Sequence, residues 1–152
     1  FFLDLIEQGG LAFKHSIGKK VTYQDPCYLG RHNNIYEEPR KILRSIPGIE
    51  LVEMRRIKED SLCCRCGGIR IILAFSEENG RLGDIRVKEA FETGAEVLVT
   101  ACPFCLINLE DAVKTTGLEG SLEVRDLAEL MQMLLRNKII YDVNYSFKGE
   151  NQ

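Results

Sequence analysis

The chain has 152 residues, 45% hydrophobic and 28% charged, with 20 Lys and Arg against 23 Asp and Glu for a formal net charge of −3. This is the size and balance of one globular domain with its own core. Its slight acidity argues against a basic nucleic-acid or anionic-membrane surface, and no apolar run reaches the ~20 residues that span a bilayer.

The first residues, Phe1-Phe2-Leu3, are apolar, but Asp4 and Glu7 interrupt them and no basic stretch precedes them, unlike a secretion signal. The chain does not open on Met and reads as a piece of a longer polypeptide that starts inside a helix. Residues 1–8 are predicted to end that helix at Gly9-Gly10, and residues 1–18 to form its end and a linker. Lys19–Gln24 reads as a strand running straight into Asp25-Pro26-Cys27. Glu37–Ile46 reads as a helix, with acidic residues at its start, Pro39 in its first turn and Pro47-Gly48 after it. Glu50–Met54 is a second predicted strand, and Arg55–Asp60 a charged connection. A helix is expected from about Asn79 to Thr93, closed by Gly94. Glu96–Thr100 is an apolar strand that delivers Cys102. Pro103–Thr115 is predicted helical, with Phe104, Ile107, Ala112 and Val113 near helical spacing and Gly117 as terminator. Leu122–Arg125 is a last strand. Asp126-Leu127-Ala128-Glu129 is a capping box opening a Leu- and Met-rich helix to about Asn137. The domain is therefore expected over 19–137, with a polar tail over 138–152. Strands alternating with long crossovers predict an α/β fold with a mainly parallel, helix-covered sheet.

Six cysteines fall into three groups: Cys27, then Cys63-Cys64-Arg65-Cys66, then Cys102-Pro103-Phe104-Cys105. Between Cys27 and Cys63 lie 35 residues, and between Cys64 and Cys102 lie 37. Thiols clustered in this way point to a soft metal or an iron–sulfur cluster rather than to a disulfide framework, which a core of this length does not need. A reducing cytoplasm is the expected setting. Cys27 and Cys102 both fall just past the carboxyl end of a predicted strand, where open α/β sheets gather ligands. The Cys63 group sits on a loop able to fold over the same edge. Cys102 and Cys105 straddle a helix start, with Pro103 as its first residue, and i,i+3 spacing puts both sulfurs on one face. The free N–H groups there favour an anionic, thiolate-ligated centre. Cys27, Cys63, Cys64, Cys102 and Cys105 make five thiols, one more than a single Zn²⁺ takes. Gly67-Gly68 would let backbone approach a larger centre.

These residues carry a resemblance. Asp25-Pro26-Cys27-Tyr28-Leu29-Gly30-Arg31, Ser61-Leu62-Cys63-Cys64 and Leu98-Val99-Thr100-Ala101-Cys102-Pro103-Phe104-Cys105 resemble the cysteine-rich CCG domain. That domain occurs in the catalytic subunit of heterodisulfide reductase and in iron–sulfur subunits linked to glycolate and lactate oxidases. The likeness runs from about Val21 to Leu130 and is closest to the C-terminal of two paired Cys-rich domains that follow a ferredoxin-like portion. It implies a non-cubane [4Fe–4S] cluster as cofactor, with Cys27, Cys63, Cys64, Cys102 and Cys105 as ligands. It also implies electron transfer, with thiol–disulfide redox chemistry in some relatives. The implied partners are the ferredoxin-like and Cys-rich remainder of the same chain and a flavoprotein or quinone-linked subunit. No nucleic acid is implied, and membrane association would come only through such a subunit. The 152-residue piece, as a fragment of an oxidoreductase, is then expected to be inactive alone. The rival expectation is a structural zinc domain that docks a partner subunit.

The sequence departs from the family pattern after the Cys pair, where Arg65 and Cys66 occupy a run that is usually glycine-rich. Cys66 is a further candidate metal ligand in place of Cys63 or Cys64, a redox thiol, or a passive filler. His32 is a candidate ligand or proton donor set against a solvated loop residue, and His15 a surface residue. Arg31, Arg65 and Arg70 are candidates to offset the charge of a thiolate-bound centre. Asp25 is a candidate acceptor that fixes the loop, and Met131 and Met133 are core or interface filler.

Overall fold

The computed structural model describes residues 1–64 and 81–135. Four strands form one wholly parallel sheet: β1 (Lys19–Gln24), β2 (Ile49–Leu51), β3 (Val97–Thr100) and β4 (Glu123–Asp126), in the order β2-β1-β3-β4. Five α-helices lie among the described residues: α1 (Phe2–Glu7), α2 (Glu37–Ser45), α3 (Leu82–Glu92), α4 (Pro103–Thr115) and α5 (Leu127–Leu134). A 3₁₀ turn, Lys58–Asp60, interrupts the charged connection. The predicted α/β class and parallel sheet are therefore what the chain forms. Arg65, Cys66, Gly67, Gly68, Ile69 and Arg70, the expected helix start at Asn79, and the expected tail over 138–152 lie outside the described residues.

Strand alternation sorts the core into two layers. Val21, Tyr23, Val97 and Val99 face Ile42 and Leu43 of α2 and Leu127, Leu130, Met131 and Leu134 of α5, with Leu3 and Ile6 of α1 at the margin. On the other face, Leu98 and Val124 meet Val87 and Ala90 of α3 and Cys105, Leu109, Ala112 and Val113 of α4. The sheet is thus sandwiched between helices, as a parallel sheet with two apolar faces requires.

Boundaries differ from expectation in small, explicable ways. The second strand is only Ile49–Leu51, because after one more bond (Val52 N–H to the Val21 carbonyl, 2.9 Å) the chain turns away to bring Glu53 to Arg40. Gly94 (φ 75°) and Gly117 (φ 69°) close α3 and α4 in the left-handed region, as their positions predicted. The Asp126 carboxylate caps α5 by accepting from the Ala128 N–H at 2.8 Å. No helix among the described residues is long and apolar enough to cross a membrane.

Candidate functional site

The sheet order reverses between β1 and β3. From β1 the chain crosses to β2 through α2, which packs on one face, and from β3 it crosses to β4 through α4, which packs on the other. Diverging crossovers leave a crevice at the carboxyl ends of the two strands, the usual ligand position in such sheets. Gln24 and Thr100 are in register at those ends. Cys27 and Cys102 therefore leave from one line, on adjacent strands.

Side chains bring the third cysteine group to the same edge. Gln24 Nε2 donates to the Leu62 carbonyl at 3.0 Å, immediately before Cys63. The Arg31 guanidinium, on the Cys27 loop, donates to the Ser61 carbonyl. Arg86 Nη2 donates to Ser61 Oγ at 3.2 Å. From α4, the Asn108 side-chain amide donates to the Cys64 carbonyl. Cys64 Sγ and Cys105 Sγ lie 3.1 Å apart, well beyond the ~2.05 Å of a disulfide bond. Cys102 caps α4 in an extended conformation, Pro103 is its first residue, and the Leu106 N–H returns to the Cys102 carbonyl at 2.9 Å. Cys64 and Cys105 are buried, whereas Cys27, Cys63 and Cys102 are half-buried. Among the described residues, no three His, Cys, Asp or Glu side chains close on one ion position.

Two buried arginines hold this edge, one from each face. Arg40 of α2, 1% exposed, grips Asp25 with both terminal nitrogens (2.7 and 2.9 Å) and Glu53 through Nε and Nη2 (2.7 and 3.1 Å). It also donates to the Tyr36 carbonyl at 2.8 Å, and its guanidinium stacks 5.3 Å from the Tyr23 ring. Asp25 Oδ2 accepts a further bond from the Lys58 N–H at 2.9 Å. Burial works against the Arg40 charge, but its hydrogen bonds to the Asp25 and Glu53 carboxylates outweigh it and hold its pKa above the ordinary value. On the opposite face Arg86 of α3, fully buried, donates to Gln24 Oε1, to the Arg56 carbonyl (2.8 Å) and to Glu89 Oε2 (3.0 Å). Burial pulls its pKa down, partly countered by Glu89. Glu89 also feels burial, which pushes its pKa up, yet the Arg56 N–H and the Arg86 guanidinium prevail and lower it.

The Cys27 turn is shaped by Gly30, whose N–H bonds the Pro26 carbonyl at 2.9 Å. A Cβ at that position would stand 2.5 Å from Tyr36 Cε1, so no larger residue fits without moving the ring. Gly83 plays the same part between helices, since a Cβ there would meet Asn108 Nδ2 at 3.2 Å.

The weaker sequence candidates resolve simply. His32 is exposed with its ring 5.1 Å from that of Tyr28, and His15 is exposed. Arg31 is exposed and joins two loops through backbone carbonyls. Asp25 is a loop anchor, as expected. Met131 lies in the core and Met133 is 59% exposed. Sequence reading missed Gln24, Arg40, Arg86 and Asn108. A signal was present for two of them: Arg40 precedes Leu43 by three residues and Arg86 precedes Ala90 by four, so helical spacing places both on apolar faces.

A family model for the cysteine-rich domain, CCG, matches residues 21–110, a span that takes in all three cysteine groups. The chain belongs to the CCG family. Among curated relatives, this CCG chain is 41% identical over 135 residues to the D subunit of the Methanosarcina acetivorans dihydromethanophenazine:CoB–CoM heterodisulfide reductase, covering 89% of this chain and 32% of that protein. It is 37% identical over 129 residues to the Bacillus subtilis probable iron-sulfur-binding oxidoreductase FadF, covering 84% and 18%. It is 36% identical over 133 residues to the Syntrophomonas wolfei EtfAB:quinone oxidoreductase, again covering 84% and 18%. The chain thus spans about a third or less of the length of these relatives. No solved structure matches it.

Proposed function

We propose that this CCG domain is the iron–sulfur module of a heterodisulfide-reductase-like oxidoreductase. In this reading Cys27, Cys63, Cys64, Cys102 and Cys105 hold a non-cubane [4Fe–4S] cluster. One observation carries the reading: three cysteine groups far apart in sequence are drawn to the carboxyl edge of β1 and β3, with Cys64 Sγ and Cys105 Sγ 3.1 Å apart. The donor set fits, because five thiols exceed the four positions of a lone zinc ion. When bound, the cluster would supply one-electron transfer, and with it thiol–disulfide redox chemistry. The chain's own residues hold the loops and keep Cys64 and Cys105 from water, while two buried arginines, Arg40 and Arg86, brace the loop segments that carry the thiols.

The names of the relatives support this reading, since one is called iron-sulfur-binding and another belongs to a heterodisulfide reductase. The proposed partners are a ferredoxin-like and a second Cys-rich portion and a flavoprotein or quinone-linked subunit. Location is proposed as cytoplasmic, with membrane association only through such a partner.

The test is anaerobic purification or reconstitution with iron and sulfide, followed by metal analysis and EPR. A brown protein with about four irons per chain, as the proposed cluster requires, is expected. Serine at Cys27, Cys64, Cys102 or Cys105 should abolish or grossly alter the centre, while Cys66→Ser should leave it nearly intact. A colourless protein with one zinc per chain would overturn the reading in favour of a structural scaffold. Loss of iron in Cys66→Ser as complete as in Cys64→Ser would overturn the ligand assignment.

A further inference from the structure

A buried hydroxyl with no hydrogen-bond partner among the described residues sits on the strand end that leads to Cys102. Thr100 is fully buried at the carboxyl end of β3, and its Oγ1 meets no donor or acceptor among the described residues. Leaving a hydroxyl unbonded in the interior costs roughly 1–3 kcal/mol, so such a group calls for an explanation. Strand alternation puts Thr100 on the face of Leu98, which packs with Cys64 and Cys105, and Cys102 two residues later packs against the same cluster. Its in-register neighbour on β1 is Gln24, whose amide reaches the loop of Cys63 and Cys64. Thr100 is thus bordered by residues leading to Cys102, Cys105, Cys63 and Cys64.

We propose that the Thr100 hydroxyl is a hydrogen-bond donor to sulfur of the bound centre, a thiolate or a cluster sulfide, and so tunes its reduction potential. The inference rests on the iron–sulfur reading above. Reduction adds negative charge to the sulfurs, and a donor aimed at them stabilises the reduced form more than the oxidised form, which raises the potential. Without the centre the donor has no acceptor, which accounts for the unpartnered Oγ1.

Thr22 provides the internal control. It is equally buried and its hydroxyl also lacks a partner among the described residues. It pairs with Leu98, two residues back from the Thr100 row on the same face, about 6.6 Å further from the edge. If an unbonded hydroxyl is merely tolerated in these strands, the two threonines behave alike. If Thr100 serves the centre, only Thr100 affects it.

The experiment compares Thr100→Val, Thr100→Ser and Thr22→Val with the unaltered 152-residue chain after anaerobic reconstitution. Iron and sulfide per chain are measured first, then the midpoint potential by redox titration followed by EPR. Thr100→Val should hold the same iron and move the oxidised-to-reduced ratio about tenfold toward oxidised, ~59 mV lower for a one-electron couple. Thr100→Ser should restore the original potential, and Thr22→Val should leave it unchanged. In deuterated buffer, pulsed EPR should detect an exchangeable deuteron coupled to the reduced centre that Thr100→Val removes. Should Thr100→Val take up no iron, the potential and deuteron coupling of Thr100→Ala against Thr100→Ser decide in its place. An unshifted potential and a retained deuteron in the variant lacking the hydroxyl, or an equal shift in Thr22→Val, overturn the proposal while leaving the cluster reading intact. An unaltered chain that binds no iron overturns both.

Discussion

The two faces of this sheet are built from the same strands and do different work. Val21, Tyr23, Val97 and Val99 pack against α2 and α5 in a layer that is apolar except at its carboxyl edge, where buried Arg40 holds Asp25. The residues between them, Thr22, Gln24, Leu98 and Thr100, face α3 and α4 in a layer that also holds Arg86, Cys64, Cys102 and Cys105. A period of two is enough to separate an apolar set from a polar one within strands of four to six residues. The apolar layer can fix the fold, so the other layer can carry buried polar atoms and thiols that lower stability.

The largest effect is expected at the carboxyl edge of the α2 face, at Arg40. Its replacement in Arg40→Met leaves Asp25, 5% exposed, without its cation. Breaking such a buried pair costs about 3–5 kcal/mol, measurable by urea unfolding, and a loss below about 1 kcal/mol would show that the pair is dispensable. Next is Leu43→Ala in the apolar layer, fully buried. It should cost about 2–5 kcal/mol while iron uptake per folded chain stays unchanged. Reduced iron in that variant would mean that the layers are not independent.

A smaller effect falls on Glu89 in the site layer. Its pKa lies below the ordinary 4.5 in the folded chain, so its ionised form contributes stability above that value. That contribution should fade as the pH drops from about 4.5 toward the lowered folded value. Glu89→Gln should cost about 1.5–3 kcal/mol at neutral pH and flatten this acid limb in unfolding curves measured from pH 6 to pH 3. An acid limb as steep as that of the unaltered chain would remove Glu89 as its source. The smallest effect is expected on removing metal. A chelator applied to reconstituted protein should leave the far-UV circular dichroism nearly unchanged, because neither apolar cluster needs the centre. Collapse of the helical signal would instead mark metal-driven folding.

Much of this layout could be read in advance. Lys19–Gln24 and Pro103–Thr115 form over the expected residues, because each has a strong pattern and a clear stop. That Cys27 and Cys102 leave from one edge of the sheet followed from placing both at strand ends. The hydrogen bonds that bring Cys63 and Cys64 there were not legible, because Gln24, Arg86 and Asn108 act across 25 to 44 residues of sequence. Their partners are backbone carbonyls or a single serine hydroxyl, which leave no mark in composition. Arg40 and Arg86 were overlooked for a different reason. A charged residue on an apolar helix face reads as an interruption until the opposing carboxylates, Asp25, Glu53 and Glu89, are placed.

The last two residues before Pro26 also guard against misfolding. Gln24 and Asp25 point to opposite layers, and each meets the arginine suited to it. If β1 slid by a single residue, the two side chains would exchange faces. The Asp25 carboxylate would then meet the Leu62 carbonyl, acceptor against acceptor, and Arg40 would keep Glu53 as its only carboxylate partner. Val21 and Tyr23 would leave the apolar layer in the same movement. A misaligned sheet would therefore pay electrostatically and hydrophobically at once, so the strand that carries Cys27 has one alignment in which its loop can form.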